Sequence, residues 1–221
     1  MSDTLTIHWP YLSAALVMLW LPRQWLRSGK SILKRRRKPD GALERLAGIG
    51  ARDPEDRSVQ PGKEFANFRN YVDFFRALAG GGCLAAFAFT AEGENAAETV
   101  FLVQTLVLLV AVLIQTVRYD ERLSFYAAIF YFVGLNVGVG QHYAGLFAIA
   151  LTLAINPVIP NPRMFLTTYG LLLLPFGFAF NADYQLLGVN VGLVLLVPLL
   201  SLLTKRPVVI FSRKAKSAAT T

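Results

Sequence analysis

The sequence predicts an all-α, polytopic integral membrane helix bundle with six or seven transmembrane helices and a short basic cytoplasmic segment. Hydrophobic residues make up 54% of the 221 residues and charged residues 16%, whereas about 25% of the residues in a soluble domain are charged. Seven segments approach the roughly 20 apolar residues that are needed to cross a bilayer. When these segments alternate in direction, every Lys and Arg falls on one side of the membrane.

The seven apolar segments differ in how clearly they predict a membrane-spanning helix. The third contains no charged residue, whereas the first has only 17 residues and contains Pro10. The first segment therefore either crosses the membrane or lies in its interface. The fourth and fifth are separated only by Gly140, Gln141 and His142. In chain order, the predicted spans are 5–21, 75–91, 99–117, 123–140, 143–158, 164–180 and 186–203.

The charge distribution supports separate fourth and fifth spans. With the N-terminus outside, residues 23–76 hold 14 Lys and Arg, the later cytoplasmic loops hold three and the tail holds five, which accounts for all 22. Such an excess is typical of cytoplasmic loops, so we expect a cytoplasmic C-terminus and a location in the cell or inner membrane. If the first segment lies in the interface and does not cross the membrane, Asp3 is the only charged residue that changes sides. The charge distribution therefore does not distinguish six spans from seven. The opposite side receives only acidic residues, namely Asp3, Glu92, Glu94, Glu98 and Asp183.

This topology divides the chain into four regions. Residues 1–26 are a transmembrane or interfacial helix, and residues 27–74 are a basic cytoplasmic linker that ends in an amphipathic helix. Residues 75–204 are a six-helix transmembrane bundle, and residues 205–221 are a basic cytoplasmic tail.

The amphipathic helix is predicted from an aromatic stripe before the second span. Phe65, Phe68, Val72 and Phe75 recur at spacings of three and four residues, which places them on one helical face. An aromatic face opposite charged residues is typical of a helix in the headgroup region. The alternative is packing against another cytoplasmic element, which we disfavour because so little cytoplasmic mass is available.

The linker also contains a block of five consecutive basic residues. One interpretation is a contact with anionic lipids, where each basic residue near the charged leaflet contributes about 1 kcal/mol. The interpretation that we favour is a topology signal, because positive-inside bias alone explains such clusters. No aromatic interleaving accompanies the block, so we expect no nucleic-acid partner. The block comprises Lys34, Arg35, Arg36, Arg37 and Lys38.

Two glycine pairs predict close helix packing. Gly134 and Gly138 in the fourth span, and Gly188 and Gly192 in the seventh, are each four residues apart, and such faces let two backbones approach closely. The shared pattern is also compatible with an inverted repeat that has a site between its halves. We favour plain helix packing because Gly, Val and Leu are abundant throughout these spans.

Four neutral amides lie inside the predicted spans. Gln104 and Gln115 are 11 residues apart, within about 20° of one helical direction. Asn136 and Asn190 accompany the glycine pairs. These amides either line a wet path or form hydrogen bonds between helices, and we favour the hydrogen bonds because they are common in membrane bundles.

The sequence lacks the residues that most catalytic and redox sites require. One Cys and two His are too few for an internal disulfide, a three-histidine metal site or a bis-histidine haem pair on each side of the membrane. Short catalytic motifs are also missing. We therefore expect no catalytic residues, cofactor or metal, although the sequence does not decide fully against an enzyme.

The function that these features favour is a non-catalytic membrane subunit or scaffold of a larger assembly. Its expected partners are the lipid bilayer and either copies of itself or other membrane subunits. The alternative function is a small permease or channel for a neutral or lipid-like solute, lined by the four amides. Ionisable side chains avoid the centres of the predicted spans, whereas ion-coupled transporters and proton relays usually need them there.

Overall fold

A computed structural model describes residues 4–23, 59–119 and 123–210. Within these residues, seven α-helices of ten or more residues pack together, and the predicted all-α class is confirmed. Helix α3 continues into a π-helical turn at Cys83–Phe87, and a 3₁₀ turn lies at Asn156–Val158. The α-helices are α1 (Trp9–Trp20), α2 (Pro61–Phe65), α3 (Phe68–Gly82), α4 (Glu94–Thr116), α5 (Ile129–Gly138), α6 (His142–Ala154), α7 (Pro162–Ala179) and α8 (Tyr184–Thr204).

Five short strands flank the helices. Strand β1 (Thr4–Ile7) pairs antiparallel with β2 (Phe89–Glu92), with Thr4 opposite Glu92. The second sheet has β4 (Leu123–Tyr126) in the middle, antiparallel to β3 (Val117–Tyr119) and parallel to β5 (Val208–Val209). Their β-branched and aromatic residues suit a pleated, half-buried surface.

Two of the helices, α4 and α8, are long and apolar enough to cross a membrane by length and composition. Helices α1, α5 and α6 are apolar but shorter. The predicted spans 5–21 and 123–140 were wrong as continuous helices, because each starts with a strand that satisfies its backbone groups on a neighbouring strand. The second span, 75–91, was wrong at both ends, because α3 begins at Phe68 and residues 89–91 belong to β2.

The N-terminal segment 4–23 runs alongside α4. Strand β1 pairs with β2, which directly precedes α4. At the other end, Gln115 of α4 donates hydrogen bonds from Nε2 to the carbonyl oxygens of Leu19 and Leu21, at 2.9 and 3.0 Å. A 23-residue helix is about 34 Å long at 1.5 Å per residue, so the strand and the short helix together cover that length.

The chain connections are sorted between two ends of the molecule. Strands β3, β4 and β5 bring together the segments that follow α4 and α8. The α5–α6 and α7–α8 connections meet elsewhere, where Gln141 Nε2 lies 3.4 Å from the carbonyl oxygen of Asp183. Because α8 links these two places, they lie at opposite ends. We call the end with β3, β4 and β5 the sheet end and the other the loop end.

Helices α3 and α5 cross with their backbones almost touching. A Cβ added to Gly134 would collide with the carbonyl oxygen of Phe74, and one added to Gly138 would collide with that of Leu78. Among the described residues, the largest side chains that are fully buried are those of Tyr131, Phe132, Phe165 and Tyr169.

Candidate functional site

A group of buried polar side chains lies near the sheet end, where the end of α1, the beginning of α3 and the end of α4 meet. We call this group the charge network. Its side chains belong to elements that are far apart in the sequence, so only the helix packing brings them together. The network comprises Arg23, Glu64, Asn70, Asp73, Arg76 and Gln115.

Asp73 accepts from two arginines. Its Oδ2 lies 2.8 Å from Arg23 Nη1, and its Oδ1 lies 3.0 Å from Arg76 Nε. Each carboxylate oxygen therefore faces a separate guanidinium group. Removing a charge from water is costly unless a partner of opposite charge compensates it, and here the compensation comes from both sides.

Arg76 also joins α3 to α1 and α4. Its Nη2 donates to Gln115 Oε1 at 2.6 Å, and its Nη1 donates to the carbonyl oxygen of Leu21. The guanidinium lies 5.2 Å from the centre of the Tyr131 ring. The last carbonyl groups of a helix have no partner within the helix, so side chains of α3 and α4 satisfy the end of α1.

Asn70 links the two chain segments that flank residues 24–58. Its Oδ1 accepts from Arg23 Nη2 at 2.7 Å, and its Nδ2 donates to Glu64 Oε2 at 2.7 Å. Nearby in the sequence, the carbonyl oxygen of Val59 accepts from Asn156 Nδ2 at 2.9 Å. The packed helices thus hold both points at which the chain leaves for the basic linker and returns from it.

The side chains of the network carry opposite charges in a buried setting. Burial lowers the pKa of the Arg23 guanidinium, and the nearby carboxylates of Asp73 and Glu64 oppose that shift. Two guanidinium groups and two carboxylates balance each other. Among the residues that the structure describes, no group of three or more His, Cys, Asp or Glu side chains is placed to hold a metal ion.

The four predicted amides bond to different parts of the bundle. Gln104 Nε2 donates to the carbonyl oxygen of Leu84 at 3.0 Å, and Gln115 belongs to the charge network. Asn136 Nδ2 donates to Tyr169 Oη at 2.9 Å. Asn190 is buried, and its Nδ2 has no hydrogen-bond partner within the described ranges. Three of the four amides therefore fix neighbouring segments to one another.

The two glycine pairs have different surroundings. Gly134 and Gly138 lie against the backbone of α3, as described above. Gly188 and Gly192 are exposed, and apart from chain neighbours and the backbone of α8 itself no described atom lies within 4 Å of a Cβ added to either. The close contact predicted for the second pair therefore has no partner in the described part of the chain. The predicted lipid contacts, Lys34, Arg35, Arg36, Arg37 and Lys38, lie outside the described residues.

The aromatic stripe is divided between two helices. We expected one continuous helix, but α2 ends at Phe65 and α3 starts at Phe68, where Asn67 Oδ1 accepts from the backbone N–H of Arg69 at 3.3 Å. This interaction caps the new helix. Phe68 and Phe75 remain exposed on one side, while Asn70 and Asp73 are buried on the other.

The sequence analysis missed the charge network. One signal was available, because Asn70, Asp73 and Ala77 recur at spacings of three and four residues opposite the aromatic stripe. We assigned that polar face to the exterior, whereas it is the buried face. Arg23 and Gln115 each lie near the C-terminal end of a predicted span, and in the predicted topology these two ends are on the same side of the membrane.

The chain was compared with protein-family models, with curated proteins and with solved structures, and none of the three comparisons gave a significant match.

Proposed function

We propose that this chain is a multi-pass membrane protein that acts as a non-catalytic subunit or scaffold of a larger assembly. The observation that carries the proposal is the distribution of polarity around α3. Asn70, Asp73 and Arg76 face the interior and are paired there, while Phe68 and Phe75 face outwards. A protein in water would gain more by the opposite arrangement.

The exposure of α4 supports a lipid environment. Only 17% of the apolar 18-residue stretch of α4 is buried against the rest of the chain, compared with 44% of the corresponding stretch of α8. A core helix of a soluble protein would be mostly buried. The outward residues Leu102, Leu106 and Val110 form an apolar surface that is unfavourable in water and suits hydrocarbon.

Exposed aromatic residues near both ends also support membrane insertion. Trp and Tyr are enriched where a membrane protein meets the headgroup layer. The exposed aliphatic residues of α4 lie between these two groups. The loop end carries exposed Trp9, Tyr11, Tyr143, Phe178, Phe180 and Tyr184, and the sheet end carries Phe65, Phe68, Tyr71 and Phe75.

The course of the N-terminal segment favours seven passes over six. Segment 4–23 follows α4 along its length and does not turn across its end. With the positive-inside charge pattern, the sheet end is cytoplasmic and the C-terminus lies on that side. The membrane is then the cell or inner membrane.

The hydrogen bonds of the interior favour a scaffold. The ion pairs and three of the four amides hold α1, α3, α4, α5 and α7 together. The exposed face with Gly188 and Gly192 offers a surface for a second copy or another membrane subunit. The basic block Lys34–Lys38 would keep the linker on the cytoplasmic side, and a contact with anionic lipids there is the second interpretation.

A permease for a neutral solute is the second candidate function. Asn136 Oδ1, Gln141 Oε1 and Asn190 Nδ2 are buried without partners within the described ranges. Buried polar atoms usually have a partner, and a polar solute or water on its way through the bundle would provide one.

Two measurements test the choice. The full chain is reconstituted into liposomes, and swelling in urea or glycerol is followed by light scattering. If the chain is a scaffold, liposomes that contain it should be no more permeable to urea or glycerol than protein-free liposomes. If the protein causes swelling, and Asn136→Leu or Asn190→Leu abolishes that swelling, the permease proposal would replace the scaffold proposal. In cells, a scaffold predicts that deleting the gene lowers the level of a co-purifying membrane complex. Expressing the Asn136→Leu variant in the deletion strain should restore the level of that complex.

A further inference from the structure

The aromatic face of α2 and α3 is an outward surface of unusual composition. Phe65, Phe68 and Phe75 are 46%, 77% and 60% exposed. Phe68 and Phe75 are seven residues apart, so they project within about 20° of one direction on α3. The surface lies at the sheet end, beside the charge network.

The charge network prevents this surface from turning inwards. Asn70 and Asp73 lie on the opposite side of α3, where they bond to Arg23. Rotating α3 to bury the phenylalanines would turn Asp73 outwards and break its 2.8 Å ion pair with Arg23, and losing one partner of a buried ion pair is strongly destabilising. The aromatic residues therefore point outwards as a fixed property of the fold.

Neighbouring rings hold part of the surface in place. The ring of Phe65 packs edge-on against Phe130 of α5, with 5.2 Å between the ring centres, and Tyr71 packs on the same ring at 5.8 Å. A surface that is already ordered loses little conformational entropy when it binds.

Among the side chains that the structure describes on α2 and α3, the exposed charge is basic. Both acidic side chains of α2 and α3, Glu64 and Asp73, are buried, whereas Arg69 is exposed next to Phe68. Exposed aromatic rings together with basic side chains match the boundary between acyl chains and anionic headgroups.

We infer that the aromatic face of α2 and α3 is an anchor in the anionic cytoplasmic leaflet, with Phe68 and Phe75 at the headgroup–acyl boundary and Arg69 at the phosphates. This inference rests on the proposed membrane insertion and adds a defined lipid class and the residues that contact it.

Nitroxide labels on the full-length chain test the anchor. In a Cys83→Ser background, a label is placed through Phe68→Cys, and the matched controls are Leu106→Cys on the outward face of α4 and Glu94→Cys at the beginning of α4. The chain is reconstituted in phosphatidylcholine, with or without phosphatidylglycerol. Collision with oxygen, which enters lipid, is compared with collision with a water-soluble nickel chelate.

The anchor predicts an oxygen-to-nickel collision ratio at position 68 that lies between those at 106 and 94. With phosphatidylglycerol present, the ratio at 68 should rise, and Arg69→Gln should remove that rise while leaving the ratio at 106 unchanged. A ratio at 68 equal to that at 94 would show that the face meets water and would overturn the inference. Shielding of position 68 from both reagents would show a protein cover and would also overturn it.

The lipid class has its own outcome. If position 68 gives the same ratio in both lipid mixtures, the assignment to anionic lipid is wrong.

The position 106 control separates this inference from the proposed function. If the label at 106 meets the nickel chelate as freely as that at 94, membrane insertion itself fails. If only position 68 departs from expectation, insertion stands and the anchor fails.

Discussion

Arg23 Nη1 lies 2.8 Å from Asp73 Oδ2, and the two side chains are only 13% and 3% exposed. This ion pair joins the end of the N-terminal segment to α3. Arg23 also donates to Asn70, which in turn donates to Glu64. The position of α1 is thus coupled, through Arg23 and Asn70, to the place where the chain returns from the basic linker.

Breaking this ion pair should destabilise the bundle. Arg23→Ala leaves the Asp73 carboxylate with one arginine, and losing one partner of a buried pair costs about 3 kcal/mol. Thermal unfolding of the purified chain in detergent measures the change. The control is Arg69→Ala, which removes an exposed arginine from α3, the helix that carries Asp73, and should leave the midpoint unchanged. Equal midpoints for the two variants would contradict a stabilising role.

The glycine pairs should respond differently to the same substitution. Gly134→Ala places a methyl group against the carbonyl oxygen of Phe74, and overpacking of this kind costs about 1–3 kcal/mol. Gly192→Ala meets no described atom, and in a helix it should be neutral or stabilise by up to about 1 kcal/mol. Unfolding in detergent compares them. If Gly192→Ala is as destabilising as Gly134→Ala, a second molecule contacts that face.

The hydrogen bond between Asn136 and Tyr169 should contribute modestly. Asn136 Nδ2 donates to Tyr169 Oη at 2.9 Å, and hydrogen bonds between membrane helices average about 0.6 kcal/mol. A double-mutant cycle with Asn136→Ala and Tyr169→Phe isolates the coupling between the two side chains. A coupling of zero would mean that the contact does not stabilise the packing of α5 on α7.

The two ends should be accessible from opposite sides of the membrane. In a Cys83→Ser background, Glu94→Cys should react with an impermeant thiol reagent in intact cells. Arg206→Cys, near the sheet end, should react only after permeabilisation. A reporter fused after Thr221 should be cytoplasmic, and a tag before Met1 should be outside if segment 4–23 crosses the membrane. Protection of position 94 together with free access to position 206 would reverse the orientation.

Local patterns were sufficient to place the three longest helices that the structure describes. Predicted spans 99–117, 164–180 and 186–203 coincide closely with α4, α7 and α8, because long apolar runs bounded by polar or charged residues specify helices directly. The strands at 4–7 and 123–126 were missed. Their residues are apolar and extend the helical pattern, and only pairing with distant strands selects the extended conformation.

Sequence alone determined the all-α class and the positions of the long apolar helices, because these follow from composition and local spacing. The tertiary structure decided which face of α3 is buried and which glycine pair meets a backbone. Periodicity groups residues on a face but is the same whether that face points inwards or outwards. The choice depends on partners, such as Arg23 for Asp73 and Phe74 for Gly134, that only packing brings within reach.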